Sequence, residues 1–557
     1  MIRKMAVIAT TMSCLTLGIV GVMGQSASAA KSKVLTEENN VGVTFTKNFN
    51  PFNNNSLVSQ MAIKSLTFEP LMEFDTLKAN TQYPWLATGY KWSHAGRTLT
   101  FTLRPGVKWS DGKPFTAADV AYTFNLIATS PAANYSGVPA MSNAATAKGK
   151  YVAVLNFVAP AYQDITSIAG STLIVPEHVW SKITSPATAT VASPIGTGPY
   201  VLKSYSSTLV KYSTNKTYWD GTPAATQVNI PYYSSNEAAS TALADGQLDW
   251  AGNDIANIKS IFVNKNPKTN HYFFARGSTV TLEFNTTGTG VLSDPSVRAA
   301  ISAGINRTAL STLGETGYEV PATSTSGLIL PNQSVYLNAS STNNISPTSD
   351  AAKVASILTG DGYAKNASGM WAKNGQEITF SVEDPTAYSD YYADDQLISN
   401  ELKAVGINCT VDGVQASQWY TDLAAGTFQS VIHWGAGGSN PFVQYQNWLD
   451  YKTFVAPSPS SASGDFGRYQ SAAAQAALKT LETTSPANAS AVKNAVQTLG
   501  NILTTQVPVA PLMYGADWDV YSTARFTGWV TAANPYMDPS PNDPELPYIM
   551  MHLKAIK

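Results

Sequence analysis

Five histidines, His94, His178, His271, His433 and His552, are scattered along the 557 residues. None stands in the H-E-x-x-H spacing that sets two imidazoles on one helical face around a zinc ion. No G-x-S-x-G occurs, so the sharp strand-to-helix turn that exposes a serine nucleophile is missing. Ser213-Thr214-Asn215-Lys216 and Ser490-Ala491-Val492-Lys493 satisfy S-x-x-K, but the S-D-N and K-T-G partners of penicillin-recognising enzymes are absent. Gly196-Thr197-Gly198 and Gly435-Ala436-Gly437 lack the third glycine or the Gly-Lys-Ser/Thr ending of a phosphate loop. A glycosidase needs two carboxylates at a set separation in space, which a linear sequence does not define. What the chain holds in quantity is the material of recognition: 12 Trp, 27 Tyr and abundant Asn. Trp434 stands out. It ends the apolar run FQSVIHW and is followed at once by Gly435, the end of a buried strand where ligands of open α/β sheets gather.

The elements that must position such residues are legible from period and punctuation. Leu99, Phe101 and Leu103 alternate with Thr98, Thr100 and Thr102, the period of a half-buried strand. Asp111-Gly112 is a turn dipeptide just after Trp109. Thr116 precedes Asp119 by three residues, an aspartate form of the capping box ahead of an apolar helix. Ser235 caps a helix predicted to reach Ala244, with Gly246 ending it, and Asp294-Pro295 opens another. Strands are expected over Val280–Phe284, Ile378–Val382, Ile407–Val411 and Phe428–Trp434, with a helix over Asp390–Ala404 between the second and third. This alternation predicts an α/β protein.

Arg3 and Lys4, an apolar run from Met5 to about Met23 and the small residues Ala27-Ser28-Ala29-Ala30 read as a secretory signal peptide over residues 1–30. Cys14 lies inside that segment, behind Thr11-Met12-Ser13, a poor approach for lipidation, so Cys409 is the one thiol expected in the exported chain. A disulfide framework is excluded, and stability has to come from a large core. The net charge of −2 becomes more acidic by two charges when the leader goes, and no basic stripe points to nucleic acid. Only 13% of residues are charged, which fits a protein exposed to an acidic or harsh exterior.

The block from Tyr83 to Phe124, YPWLATGYKWSHAGRTLTFTLRPGVKWSDGKPFTAADVAYTF, resembles the extracellular solute-binding proteins of family 5, the oligopeptide- and dipeptide-binding components of ABC importers. Phe68-Glu69-Pro70-Leu71, Gly196-Thr197-Gly198-Pro199-Tyr200, Tyr218-Trp219-Asp220-Gly221, Gly246-Gln247-Leu248-Asp249, Phe284-Asn285-Thr286 and Val297-Arg298-Ala299-Ala300-Ile301 are similar to further motifs of that family in the same order. The resemblance implies a type II periplasmic-binding-protein-like fold, two lobes built from three domains around a central ligand cleft. Residues 31–64, 192–284 and 508–557 would form a discontinuous first domain, 65–191 an inserted second domain and 285–507 the second lobe. Two strands, near Thr281–Asn285 and Val507–Met513, would cross between lobes. Such a protein would be a periplasmic or cell-surface monomer that closes on a small molecule and hands it to permease and ATPase subunits, without cofactor, metal, catalysis or nucleic acid.

The sequence departs from the family's peptide binders after its second-lobe strand, where an acidic loop usually supplies an aspartate for the peptide's α-ammonium. Here the segment 434–442, WGAGGSNPF, carries no carboxylate. A ligand without positive charge at that point is implied, and the family's oligosaccharide binders become the favoured comparison, with an oligopeptide as the alternative if Glu237 or Asp517 pairs its amine. Sugars need aromatic faces and amide hydrogen bonds. The residues expected at the ligand are Asn53, Trp250, Asn285, Trp419, Trp434, Gly435, Asn440, Tyr445 and Trp518, with Tyr420 and Trp448 as further platforms.

Overall fold

The threonine-alternating segment is a strand, Thr98–Leu103, with Leu99, Phe101 and Leu103 buried. It is an inner strand of a four-stranded antiparallel sheet ordered Ala87–Ser93, Thr98–Leu103, Val152–Phe157 and Met141–Ala147. Helix Ala117–Thr129 packs on that sheet. The Asp119 carboxylate accepts from the Thr116 N–H at 2.9 Å, and the Thr116 hydroxyl accepts from the Ala118 N–H at 3.3 Å. The second Asp119 oxygen takes the Glu177 N–H, so the cap also ties the helix to the next segment. This computed structural model describes residues 33–77, 81–288, 290–435, 437, 441–453, 462, 464–542 and 544–556. The predicted leader, residues 1–30, and Asn440 lie outside the described residues.

Two larger sheets carry the rest. One has seven strands in the order Asn270–Tyr272, Val520–Ser522, Trp250–Ala251, Val34–Glu38, Gln227–Pro231, Leu209–Thr214 and Tyr200–Ser206. Its central strand Val34–Glu38 runs parallel to Gln227–Pro231 and to Trp250–Ala251. The other has six strands: Val320–Pro321, Val509–Asp517, Ala275–Phe284, Ser430–Trp434, Thr379–Pro385 and Asn408–Val414. There Thr379–Pro385 runs parallel to both Ser430–Trp434 and Asn408–Val414. Helices fill the connections where the periodicity places them: Asn236–Ala244 behind the Ser235 cap, Pro295–Gly304 behind Asp294, and Ser389–Val405 between parallel strands.

The chain passes twice between these sheets. Asn270–Tyr272 leads through Phe273-Phe274 into Ala275–Phe284, and Val509–Asp517 leads through Trp518-Asp519 into Val520–Ser522. The two passages touch: the Phe273 N–H donates to the Asp519 carbonyl at 2.9 Å, and Phe274 meets Trp518 edge-on with centroids 4.7 Å apart. The segments 281–285 and 507–513, where the resemblance sets the crossing, lie mostly within the paired strands of the six-stranded sheet.

The Gly196-Thr197-Gly198 motif is a close-packing device. The Gly198 N–H donates to the Thr67 carbonyl at 2.9 Å, and the Gly196 carbonyl accepts from Ser110 at 2.9 Å. A Cβ on Gly196 would lie 1.8 Å from the Thr67 carbonyl oxygen, and backbone cannot step aside as a side chain could. Gly196→Ala is therefore expected to lower stability by about 3 kcal/mol, seen as a lower urea midpoint at unchanged m-value. An unchanged midpoint would show that this loop is not held against Thr67.

Candidate functional site

Parallel strands of an open α/β sheet end together, and the loops beyond their carboxyl ends leave a crevice that backbone does not fill. Both large sheets direct such ends at one space, a cavity of about 370 Å³. From the seven-stranded sheet, Asn39 and Asn40 follow Val34–Glu38, and Gly252, Asn253 and Asp254 follow Trp250–Ala251. From the six-stranded sheet, Tyr388, Asp390 and Tyr391 follow Thr379–Pro385, while Trp434, Gly435 and Gly437 close and follow Ser430–Trp434. Trp518, at the passage between sheets, forms part of the same wall, as do Tyr135 and Tyr420.

Polar contacts run across the space. The Asn40 amide donates to the Tyr420 hydroxyl at 3.0 Å, and the Asn236 amide donates to Ser389 Oγ at 3.0 Å and to Asp390 Oδ1 at 3.3 Å. Such contacts between side chains that water could equally serve hold two halves together weakly, because each gains only about 1 kcal/mol over solvation.

Of the residues expected at a ligand, Trp434, Gly435 and Trp518 line the cavity, and so does Tyr420. Trp434 is 39% exposed, unusual for a large ring in this protein, with its other face stacked on His433 at 4.5 Å. Burial lowers His433 to about 4, so the stacking partner is a neutral imidazole whose Nδ1–H donates to the Trp434 carbonyl. Trp419 is fully buried one layer behind, stacked on His433 at 5.5 Å and without a face on the cavity. Gly435 has to be glycine: its N–H donates to the Thr279 carbonyl at 2.8 Å, and a Cβ would come within 2.8 Å of the Trp448 ring.

The remaining expected residues sit elsewhere. Trp250 is buried, donating from Nε1 to Asp519 at 2.7 Å and meeting Trp529 edge-on. Tyr445 and Trp448 are buried on helix Phe442–Leu449, and the Tyr445 hydroxyl donates to the Ser326 carbonyl. Asn285 closes the turn after its strand by donating to the Gly426 and Phe428 carbonyls, both at 3.0 Å. Asn53 shapes the loop ahead of helix Leu57–Gln60, accepting from the Asn55 N–H. The cavity-lining amides Asn39, Asn40 and Asn253, and the acids Asp254, Glu319, Asp390 and Asp538, are not among the expected site residues. Their signal was positional. Most follow the carboxyl end of a strand, and Asp390 opens the helix after Thr379–Pro385.

The acids differ from ordinary surface carboxylates. Glu319 is 2% exposed, and burial pushes its carboxyl up to about 8. Burial likewise lifts Asp390 to about 6, and burial with the charge of Asp390 holds Asp254 well above the carboxylate range. Burial and the neighbouring Asp538 do the same for Asp517. No Lys, Arg or His lines the cavity among the described residues, nor do three or more His, Cys, Asp or Glu side chains there come together as a metal site.

Two α/β bodies, joined by a pair of strands and facing each other across a polar and aromatic cavity at their strand ends, define the type II periplasmic-binding fold. The chain belongs to the bacterial extracellular solute-binding proteins, family 5, whose family model (family 5 Middle) matches residues 81–455. Protein XP55 of Streptomyces lividans is 28% identical over 327 residues, 57% of this chain, and the match spans 56% of that protein's length. The nickel-binding periplasmic protein of Escherichia coli K12 is 26% identical over 400 residues, 68% of this chain and 72% of that protein. Among solved structures, the mannohexaose-bound periplasmic oligopeptide-binding protein of an oligopeptide ABC transporter from Thermotoga maritima superposes with a TM-score of 0.84 at 24% identity, covering 94% of this chain and 99% of that one. That likeness is one of fold.

Proposed function

We propose that this protein is the exported substrate-binding component of an ABC importer, capturing an elongated solute between its two bodies and presenting it to a membrane permease and its ATPase. The observation that carries this reading is the cavity itself, walled by the strand ends of both sheets, so that a solute touching both walls favours the closed arrangement over the open one. The function is capture without conversion, outside the cytoplasmic membrane. No described helix is long and apolar enough to cross a membrane.

An oligosaccharide is the favoured solute. Trp434, Trp518 and Tyr420 offer ring faces, and Asn39, Asn40 and Asn253 lie beside them at the cavity. Buried carboxyls that keep their protons both donate and accept, as sugar hydroxyls do. The homologous fold from Thermotoga maritima holding mannohexaose is in line with this reading. An oligopeptide is the second reading, favoured by Asp517, which stands on the cavity wall where an α-ammonium could meet it.

Melting shifts with mannohexaose, cello-oligomers, xylo-oligomers and short peptides separate the two. A saturating ligand at 100 times its Kd adds about 2.7 kcal/mol to stability. The expected result is a shift of several degrees with one oligosaccharide series and no product formed. A shift from peptides alone establishes the second reading, and product in the incubation overturns capture without conversion.

A further inference from the structure

The cavity concentrates carboxyl groups, and no Lys, Arg or His lines it among the described residues. Asp254 comes from the loop after Trp250–Ala251, Asp390 from the first turn of helix Ser389–Val405, and Glu319 from the residue before the short strand Val320–Pro321. They are 5%, 7% and 2% exposed. Glu319 Oε1 accepts from the Ala516 N–H at 2.8 Å, which fixes the carboxyl on the cavity wall. Its Oε2 and the Oδ1 of Asp254 are buried with no hydrogen-bond partner among the described residues. The groups facing them from neighbouring elements are carboxyls and phenols: Glu237 on helix Asn236–Ala244, Glu315 after residues 310–314, Asp394 and Tyr391 on the Asp390 helix, Tyr318 beside Glu319, and Asp517 at the end of its long strand.

A buried carboxylate with an unpartnered oxygen needs a proton or a cation, since a charge left there alone is strongly disfavoured. Resting on the reading of this cavity as a solute site, we propose that Glu319, Asp254 and Asp390 form a subsite for an ammonium group carried by the bound solute. Amino-sugar oligomers and lysine-bearing peptides share that chemistry. The proton is the competitor. At neutral pH the solute's cation displaces it from the carboxyl cluster, and in acid the proton holds the site.

The test compares matched pairs on the native chain at pH 7 and pH 4 by calorimetry: glucosamine tetramer against cellotetraose, and Ala-Lys-Ala against Ala-norleucine-Ala. The pair that responds identifies the scaffold. The ammonium-bearing member is expected to bind at least about tenfold tighter at pH 7, with protons released into the buffer, and the ratio to fall below about threefold at pH 4. Glu319→Gln, which keeps an oxygen for the Ala516 N–H, should narrow the ratio at pH 7. Asp390→Asn should do the same and serves if the first variant does not fold. Equal binding within both pairs overturns the subsite but leaves the solute-capture reading standing. A ratio that survives both substitutions also overturns it. No binding by any of the four overturns the subsite and counts against the reading beneath it.

Discussion

Lowering the pH from 7 to 4.5 is expected to raise the melting temperature of the ligand-free protein by about 5 °C or more. Burial holds Glu37, Glu38, Glu283 and Glu319 up at about 8, and Glu69, Glu383 and Glu401 at about 7. A carboxyl raised in the folded state binds its proton more tightly there than in the unfolded chain. Below pH 4 both states are protonated and nothing is lost. As the pH climbs past the ordinary carboxylate range the unfolded state ionises first, and stability drains away until the folded value is passed. Between pH 4.5 and pH 7 one group held near 8 accounts for about 3 kcal/mol. His433 acts in the opposite sense, because burial lowers it to about 4 and its folded form resists the proton that the unfolded chain accepts below pH 6.5. Asp111 and Asp361, lowered by hydrogen bonds from the Lys113 N–H and from the Lys373 ammonium, act with it, so three groups stand against seven. Differential scanning calorimetry decides the matter, and a melting temperature that falls steadily from pH 7 to pH 4.5 would end the argument.

Replacing Trp434 by alanine is expected to weaken solute binding by about 2 kcal/mol, or about 30-fold in Kd. The ring rests on His433 with its outer face open to the cavity, so the substitution removes a platform and leaves the layer behind it in place. Trp419→Ala makes the contrast. That ring is fully buried, and its loss should register mainly as a lower unfolding midpoint, by about 3 kcal/mol. Isothermal titration on both variants separates the roles. Unchanged affinity in Trp434→Ala would take this residue out of the site.

The fold was legible because its signals are local and repeated. Helix caps at Thr116, Ser235 and Asp294 stand where Ser, Thr and Asp offer an oxygen to the first free N–H groups, and the structure uses all three. Strand limits moved by a few residues, as at Thr379–Pro385, because pairing with Asn408–Val414 carries the strand past its apolar run through Glu383, Asp384 and Pro385. The site was legible only where a linear signal coincided with it. Trp434-Gly435 marks a strand end in the sequence, whereas Trp250 and Tyr445 share composition with binding residues but are buried in the core. Burial of an aromatic ring depends on what folds over it, and no spacing along the chain encodes that. The acids were missed for a related reason. Asp254, Glu319 and Asp390 are far apart in sequence and ordinary one by one, and only the apposition of two sheets brings them together.

The paired passages at Phe273-Phe274 and Trp518-Asp519 have a mechanical consequence. Two antiparallel strands bonded to each other at the point of transit act as a flat strap: compliant to bending across its face, stiff to shear in its plane. Bending across its face is the deformation such a pair resists least. Trp518 is both a fibre of that strap, braced by Phe274 and Tyr318, and a patch of the cavity wall. An occupant pressing on this indole leans directly on the pivot, so the grip and the joint share one lever.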